Sequence, residues 1–338
     1  PYTTLFRFGE QVRTALEPPY NIEAHHYSST ASIGITLFPK HAEGVEDLLR
    51  EADTAMYRAK DLGRNRICFY EEAMQANVQE RLALEQDLKK AMGAGELTAY
   101  LQPQVAPDGR VVGGELLMRW SHPVRGSVQQ SRLIRVAECS GLILSMGDWM
   151  LQQALRTLAV WAPTHLELSI AVNVSTRELQ HKGFAERVAR MIEASGVPAK
   201  RLRLEITESG LMDDPTHSVA LLYELREIGT PLSIDDFGTG YSSLAYLQKL
   251  PVSEFKIDRS FIDKLDQSPG TQKLVRAMTE MGHGLDLMVT AEGVETEAER
   301  ETITRLGCDV MQGYLASKPL YGEKLQAWFD ALPVHAAS

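Results

Sequence analysis

The chain has 338 residues, of which 44% are hydrophobic and 24% are charged, and these values are ordinary for a globular protein. The formal net charge of −10 argues against a broad nucleic-acid-binding surface, so no DNA or RNA partner is expected. No apolar run approaches the roughly 20 residues that span a bilayer, and the three cysteines are far apart and odd in number, which favours reduced thiols over a disulfide framework. We therefore expect a cytoplasmic chain without a transmembrane segment, although an upstream region could anchor a longer protein to a membrane.

The first part of the chain predicts a small α/β segment. Residues 1–7 have no clear periodicity and resemble the translation of a sequencing-adapter oligonucleotide, so we expect them to be a non-native leader. Residues 8–70 predict a helix, two strands, a helix and a strand, including a strand at 31–38 and an amphipathic helix at 45–59. Helix-forming sequence at 71–92 predicts a helical linker to the rest of the chain.

From residue 96 onward, predicted strands alternate with predicted helices. Apolar runs predict eight strands, at residues 97–104, 111–118, 168–174, 202–207, 231–235, 253–257, 287–291 and 309–311. Helical periodicity predicts helices at residues 130–141, 145–161, 183–195, 216–228, 270–283, 296–306 and 322–332.

The connections between these strands predict their directions. The tight turn Pro107-Asp108-Gly109 predicts an antiparallel hairpin, whereas the later strands have room for crossover helices and should be parallel. The order predicts an α/β fold, a (β/α)8 TIM-like barrel with an antiparallel first strand, at residues 80–336. A doubly wound open sheet is the alternative, but the glycine-rich fingerprint expected after its first strand is absent from the sequence.

Polar residues lie at or just beyond the C-terminal end of almost every predicted barrel strand, where the active site of such a barrel lies. They are Glu115, Asn173, Glu205, Glu208, Asp235, Asp236, Lys256, Asp258, Glu292 and Gln312. The most informative pair is Asp235 and Asp236, which end an apolar strand and enter a loop containing Gly238 and Gly240. Adjacent carboxylates repel one another, and a bound cation relieves that repulsion. An Asx-type turn that caps the next helix would also explain the pair taken alone.

The types of these residues favour a particular chemistry. Carboxylate and amide oxygens without paired histidines or cysteines favour Mg²⁺ or Mn²⁺ over zinc. A carboxylate that can bridge, such as Asp235 with other acids beside it, suits two metal ions. Because two such ions polarise a phosphoryl group and stabilise its leaving oxygen, the pattern predicts phosphodiester hydrolysis.

A set of short motifs runs in order from about residue 80 to 325. They are Gln102-Pro103, Glu115-Leu116-Leu117, Ala137-Glu138, Val172-Asn173-Val174-Ser175, Leu204-Glu205-Ile206-Thr207-Glu208-Ser209, Asp235-Asp236-Phe237-Gly238-Thr239-Gly240, Phe255-Lys256-Ile257-Asp258-Arg259-Ser260-Phe261, Ala291-Glu292-Gly293-Val294-Glu295-Thr296 and Gln312-Gly313-Tyr314. Together they closely resemble the EAL-domain cyclic di-GMP phosphodiesterases.

The resemblance implies a role for each matched residue. It implies that one of two Mg²⁺ or Mn²⁺ ions is held by Glu115, Asn173, Glu205 and Asp235, and the second by Asp235 and Asp236. It implies that the attacking water is held or activated by Lys256 and Glu292, with Glu292 as the candidate general base. It places Gln312 near that water and Glu208 as the anchor of the loop after the aspartate pair. The guanine and phosphate groups would be held by Gln102, Arg119 and Asp258. A salt bridge inside the barrel mouth is the alternative role of Arg119.

The sequence departs from the family pattern at three places. Leu116 stands where the family usually has alanine, and Leu101 stands where an aromatic residue usually precedes Gln102. Residues 129–135 lack the two prolines and the phenylalanine that are usual there. We expect these changes to affect substrate affinity more than catalytic competence.

Residues 8–70 contain Ala31-Ser32-Ile33-Gly34-Ile35 and the run from Ala52 to Arg66. These motifs resemble the second half of a GGDEF (diguanylate cyclase) domain. The signature Gly-Gly-Asp-Glu-Phe loop is absent from this sequence, so the chain is not expected to make cyclic di-GMP. Whether a complete domain of this kind would be a cyclase, a GTP sensor or inert stays open.

The resemblance implies metal-dependent hydrolysis of cyclic di-GMP to linear pGpG and a homodimer that forms through the EAL domain. A catalytically inactive receptor for cyclic di-GMP is the alternative, although none of the matched metal-binding acids is missing. A barrel that acts on another phosphodiester also stays open because of the departures at 129–135.

Overall fold

The structure is a computed structural model that describes residues 2–332 except 19, 23–24, 28–29, 39–43, 64, 162–164, 166, 213 and 241–243. The chain divides into two compact units, Pro1–Leu88 and Lys89–Ser338. None of the described helices is both long and apolar enough to cross a membrane.

The N-terminal unit contains three helices and two small pairs of strands. Its elements are α1 (Tyr2–Leu16), β1 (Tyr20–Ile22), β2 (His25–Tyr27), β3 (Ile33–Ile35), α2 (Val45–Asp61), β4 (Ile67–Phe69) and most of α3 (Glu72–Ala94), whose last residues belong to the larger unit. Strand β1 pairs antiparallel with β2, and β3 pairs parallel with β4. Helix α2 packs directly on β3, because a Cβ atom at Gly34 would overlap the carbonyl oxygen of Ala52.

Two expectations for this unit differ from the structure. The strand predicted at 31–38 is limited to Ile33–Ile35, because its partner β4 is only three residues long. Helix α1 begins at Tyr2, so most of residues 1–7 belong to a helix that was predicted to begin at Phe8. That residues 1–7 are non-native stays a prediction.

The larger unit is a closed barrel. Its strands are β5 (Leu97–Val105), β6 (Val111–His122), β7 (Gly126–Val128), β8 (Ser169–Val174), β9 (Leu202–Thr207), β10 (Leu232–Phe237), β11 (Glu254–Ile257), β12 (Met288–Glu292) and β13 (Val310–Gln312). The order β5-β13-β12-β11-β10-β9-β8-β6 closes through the β5–β6 pair, and β7 is added to β6. Strand β5 is antiparallel to both of its neighbours, and the other barrel pairs are parallel. The predicted fold class is therefore confirmed.

Helices surround the barrel strands. They are α4 (Gln130–Ser140), α5 (Ile143–Trp161), α6 (Thr176–Leu179), α7 (Phe184–Ser195), α8 (Glu208–Met212), α9 (Pro215–Glu227), α10 (Leu244–Leu247), α11 (Arg259–Ile262), α12 (Pro269–Gly284), α13 (Glu297–Leu306) and α14 (Glu323–Asp330). Three of the short ones, α6, α8 and α11, were not predicted, because four or five residues are too few to show helical periodicity. The fourth, α10, lies where the sequence places a helix after the aspartate pair.

The interior of the barrel is polar on two levels. At the lower level Arg203 forms a buried ion pair with Glu254, which also accepts a hydrogen bond from Thr290. Two residues further along strands β9 and β11 lie Glu205 and Lys256, on the same face because strand side chains alternate. This upper level lies directly beneath the floor of the candidate active site.

Candidate active site

The register of the barrel strands brings the predicted site residues together at one end of the barrel. Asn173 pairs with Glu205 across β8 and β9, and Ser233, two residues before Asp235, pairs with the same Glu205. On the other side of the barrel Gln102 pairs with Glu115, and Glu292 pairs with Gln312. Side chains from eight different strands, which are far apart in the sequence, therefore converge at this end of the barrel.

Lys256 lies at the centre of this cluster and is fully buried. Its ammonium donates to Glu205 Oε2 at 2.9 Å and to Glu115 Oε2 at 3.2 Å. The same nitrogen lies 3.3 Å from Asp235 Oδ1 and also forms an ion pair with Glu292. One ammonium group therefore contacts four carboxylates.

Amide side chains fix the orientation of Glu115. Asn173 Nδ2 donates to Glu115 Oε1 at 2.6 Å, and Gln312 Nε2 donates to Glu115 Oε2 at 2.6 Å. Gln312 accepts in turn from Gln104 Nε2 at 2.9 Å and donates to Gln102 Oε1 at 3.3 Å. With its Nδ2 bonded to Glu115, Asn173 keeps the carbonyl oxygen Oδ1 as a possible ligand.

The carboxylates of the cluster differ in acidity. Burial alone would raise the pKa of Glu115, but Lys256 and the two amide donors outweigh burial and lower it. Burial raises the pKa of Glu205 well above its usual value and raises the pKa of Glu292 to about 8. The single positive charge of Lys256 is therefore not enough to keep every acid of the cluster ionised at neutral pH.

The aspartate pair lies at an irregularity of β10. The pairing of β10 with β11 shifts register between Ile234 and Phe237, and Asp236 has a left-handed backbone with φ 55°. The Asp236 amide donates to Asp235 Oδ1 at 3.0 Å. Burial and the charge of Asp235 raise the pKa of Asp236 to about 6. Oxygen atoms of Asp235, Asp236 and Glu292 lie within 4.8 Å of one another.

The residues of the cluster fit hard divalent cations. The donors are carboxylate and amide oxygens, which Mg²⁺ and Mn²⁺ prefer. Glu205 Oε1 is buried and has no hydrogen-bond partner among the residues that the structure describes. A buried carboxylate oxygen without a partner costs free energy unless a cation meets it. Both the donor set and the excess of negative charge therefore support metal binding here.

The loop that follows the aspartate pair is tied to Glu208. The buried Glu208 Oε2 accepts from the Gly238 amide at 3.0 Å and from the Gly240 amide at 3.3 Å. Gly238 has φ 97°, and a Cβ atom at Gly240 would lie 2.6 Å from Glu208 Oε1. Both glycines are therefore required for the carboxylate to reach the loop backbone.

A cavity of about 500 Å³ opens above the cluster. Of the predicted site residues, seven line it: Gln102, Glu115, Asn173, Asp235, Asp236, Glu292 and Gln312. Helices α4 and α5 add apolar side chains to the lining, including Ile134, Ile143, Met146 and Met150. Glu205 and Lys256 are buried and are not among the lining residues. The cavity is thus lined by an acidic cluster and by apolar side chains.

Two predicted substrate contacts lie outside the lining. Arg119 Nη1 donates to the Met118 carbonyl at 2.9 Å and to the side chain of Gln130. Asp258 accepts from the Ser260 amide at 3.0 Å and caps α11. Each of these two residues therefore has a local structural role, and its contact with a substrate stays a prediction.

Two of the departures from the family pattern lie on the strand face opposite the cluster, although Leu116 also contributes to the lining of the cavity. Leu101 pairs with Leu116 across β5 and β6, one residue from the Gln102–Glu115 pair, so alternation places both leucines on the opposite face. Both leucines are buried. In the third departure, 129–135, helix α4 contributes Gln130 and Ile134 to the cavity wall. Leu116, Gln130 and Ile134 are thus the residues of the three departures that reach the cavity, and the effect of the departures on substrate affinity stays a prediction.

Several charged residues that line the cavity were given no role from the sequence, among them Glu178, Arg259 and Glu295. Glu178 is buried and accepts from the Ser175 amide at 2.9 Å in a capping box. The Ser-x-x-Glu spacing after strand β8 was the available signal. Arg259 and Glu295 form an ion pair of 2.8 Å at the cavity mouth. No spacing rule predicts that pair, because the two residues lie on different strand ends.

Comparison with known proteins identifies relatives of both units. Residues 85–319 match the family described as EAL domain, and residues 4–66 match the family described as Diguanylate cyclase, GGDEF domain. The bifunctional diguanylate cyclase/cyclic di-GMP phosphodiesterase MucR of Pseudomonas aeruginosa is 42% identical over 321 residues, which are 94% of this chain and 47% of that protein. The cyclic di-GMP phosphodiesterase NbdA of the same species is 37% identical over 332 residues, 96% of this chain and 42% of that protein. The chain thus spans about half the length of these relatives.

Solved structures show the same relationship. The PaMucR phosphodiesterase in complex with c-di-GMP is 41% identical, with a TM-score of 0.70, covering 72% of this chain and 99% of that one. The EAL enzyme Bd1971 in its cAMP and cyclic-di-GMP bound form is 29% identical, with a TM-score of 0.72, covering 86% of this chain and 77% of that one.

Proposed function

The chain belongs to the EAL domain family, and from this premise we propose that it hydrolyses cyclic di-GMP to linear pGpG in a reaction that depends on divalent metal ions. The observation that carries the proposal is the cluster itself. Five acids and one amide from five strands converge below one cavity, and one of their buried oxygens has no partner among the described residues. The names of MucR and NbdA support the same activity.

The cluster would hold two Mg²⁺ or Mn²⁺ ions. The first ion would be held by Glu115, Asn173, Glu205 and Asp235, and the second by Asp235 and Asp236. When bound, two such ions supply charge neutralisation for the phosphodiester, activation of the attacking water and stabilisation of the leaving oxygen. Because buried acids with raised pKa values hold protons without cations, binding of the ions should ionise them.

The protein side chains position and move protons. Glu292, which has an oxygen near the aspartate pair and forms an ion pair with Lys256, would take the proton from the attacking water. Lys256 and Gln312 keep Glu115 oriented, and Glu208 holds the loop after the aspartates. Attack of water at phosphorus breaks one ester bond of the cyclic dinucleotide and leaves the linear pGpG.

Further properties follow from the family and are also proposals. We expect a homodimer that forms through the barrel, and a cytoplasmic location for this part of the protein. Residues 8–70 would contribute no cyclase activity, because the Gly-Gly-Asp-Glu-Phe signature is absent from this sequence.

The test is turnover of cyclic di-GMP by the chain in Mg²⁺ or Mn²⁺, with pGpG measured by chromatography and bis(p-nitrophenyl) phosphate as a generic comparison. Production of pGpG, with about 100-fold loss or more in Glu292→Gln, supports the proposal. Glu297→Gln, an exposed change on α13, is the matched control and should retain activity. Tight binding without turnover would make the protein a receptor, and equal turnover of both substrates would point to another phosphodiester.

A further inference from the structure

The lining of the cavity is strongly acidic. Seven described lining residues are acids: Glu115, Glu138, Glu178, Asp235, Asp236, Glu292 and Glu295. Arg259 is the one cationic side chain among the described lining residues. A cyclic dinucleotide carries two anionic phosphodiester groups, and the two proposed metal ions would neutralise the one being cleaved. The second group needs a positive partner, because it would otherwise face acids.

Arg259 is anchored beside the reacting end of the cavity. It is the first residue of α11, immediately after β11 and Asp258. Its aliphatic stem lies over Gly293, where a Cβ atom would overlap Arg259 Cγ, and Gly293 has φ 71°. Gly293 directly follows Glu292, the proposed general base. Only glycine at position 293 thus leaves room for the Arg259 stem.

The guanidinium of Arg259 is held by a weak partner. Arg259 Nη2 lies 2.8 Å from Glu295 Oε1, and the two side chains are 58% and 40% exposed. Exposed ion pairs contribute little to stability, so a phosphate oxygen can replace Glu295 at small cost. The planar guanidinium also suits phosphate because it can donate two parallel hydrogen bonds.

Arg119 is less available for this contact. Its Nη1 already donates to the Met118 carbonyl and to Gln130, and it is not among the lining residues. Lys256 is buried beneath the floor with its ammonium among four carboxylates. Of the cations near the cluster, Arg259 is thus the one that faces the cavity.

We propose that Arg259 binds the phosphodiester group of the cyclic dinucleotide that is not cleaved, and that Glu295 holds the guanidinium in position until the substrate replaces it. This inference rests on the proposed function, because it assigns a second contact to the same substrate. Arg259 would therefore contribute to the affinity for the substrate and not to the chemical step.

The experiment compares Arg259→Met with the parent chain. Methionine keeps an aliphatic stem over Gly293 and removes the charge. We expect the KM for cyclic di-GMP to rise about tenfold with kcat within about threefold. The KM for bis(p-nitrophenyl) phosphate, which has a single phosphodiester, should change less than about twofold. Arg300→Met is the matched control, because Arg300 forms a similar exposed pair with Glu297 at 2.8 Å.

Two results would overturn the inference. One is a KM for cyclic di-GMP in Arg259→Met equal to that in Arg300→Met, and the other is an equal loss with both substrates. If circular dichroism shows that Arg259→Met does not fold, the KM values of Glu295→Gln are measured instead. Because this variant frees the Arg259 guanidinium from its partner, its KM for cyclic di-GMP should fall while its KM for bis(p-nitrophenyl) phosphate stays the same. An unchanged ratio of the two KM values overturns the inference.

The inference can fail separately from the proposed function. If the parent chain does not turn over cyclic di-GMP, the proposed activity fails. Calorimetric titration with cyclic di-GMP in Mg²⁺ then tests Arg259 alone. About tenfold weaker binding by Arg259→Met than by the parent supports the contact, and equal binding overturns it.

Discussion

Replacing Lys256 by methionine should destabilise the chain strongly when metal ions are absent. The ammonium of Lys256 is fully buried and meets Glu115, Glu205, Asp235 and Glu292. Removing one partner of a buried ion pair costs about 3–5 kcal/mol, because the remaining charges are left buried and uncompensated. Proton uptake by the acids offsets part of this cost, so we expect the loss to grow as the pH rises above neutral.

Added Mg²⁺ should reduce the difference between this variant and the parent. A cation that binds only the folded state stabilises it by about 2.7 kcal/mol at 100 times its dissociation constant. In Lys256→Met the ion meets the same acids without a competing ammonium, so it should bind more tightly and stabilise the variant more than the parent.

Urea unfolding in EDTA and in Mg²⁺ measures both effects. The control is Lys249→Met, an exposed lysine whose loss should change stability by no more than about 0.5 kcal/mol. A loss below about 1 kcal/mol for Lys256→Met in EDTA would refute the central role of Lys256. A difference that widens in Mg²⁺ would refute the idea that the ion binds these acids.

Three other predictions test the ionisation, the backbone and the packing of the site. Binding of Mg²⁺ at pH 7 should release one proton or more, because burial raises the pKa of Glu292 to about 8 and the pKa of Glu205 well above its usual value, and a bound cation ionises these acids. Calorimetry in two buffers of different ionisation enthalpy measures this, and zero release would contradict it. Asp236→Asn should change the free energy of unfolding by no more than about 1 kcal/mol, because asparagine tolerates the left-handed backbone. The rate of hydrolysis should nevertheless fall about 100-fold or more if Asp236 holds a metal ion. Retained activity would exclude that role. Gly147→Ala should destabilise by about 1–3 kcal/mol, because the new Cβ would overlap the Glu178 carboxylate. Its control is Gly93→Ala in helix α3, where no atom lies within 4 Å of the new Cβ and alanine should stabilise by up to about 1 kcal/mol; equal urea midpoints for the two variants would contradict the overlap.

The fold of the barrel could be predicted from the sequence because its strands are apolar runs separated by amphipathic helices. The predicted strand at 202–207 matches β9, and the predicted hairpin at Pro107-Asp108-Gly109 joins β5 to β6. The short helices α6, α8 and α11 escaped prediction, because helices of four or five residues depend on caps such as Ser175 and on the neighbouring strand ends rather than on periodicity.

The composition of the site could be predicted, but its internal geometry could not. Motifs and strand ends identified the acids, because each follows an apolar run. That Lys256 would lie beneath the cavity and bind four carboxylates depends on the register of β11 against β10 and β12, which no local pattern specifies. The Arg259–Glu295 pair depends in the same way on two neighbouring strand ends.

The most direct test of the proposed reaction compares the chain with its Glu115→Ala variant, using cyclic di-GMP in Mg²⁺ and again in EDTA. Glu115 meets Asn173, Lys256 and Gln312 and lies at the floor of the cavity. We expect pGpG from the parent in Mg²⁺ alone, and none above background from the variant or in EDTA. Equal pGpG from the parent and from Glu115→Ala, or from the parent in EDTA, would contradict a metal-dependent reaction at this cluster.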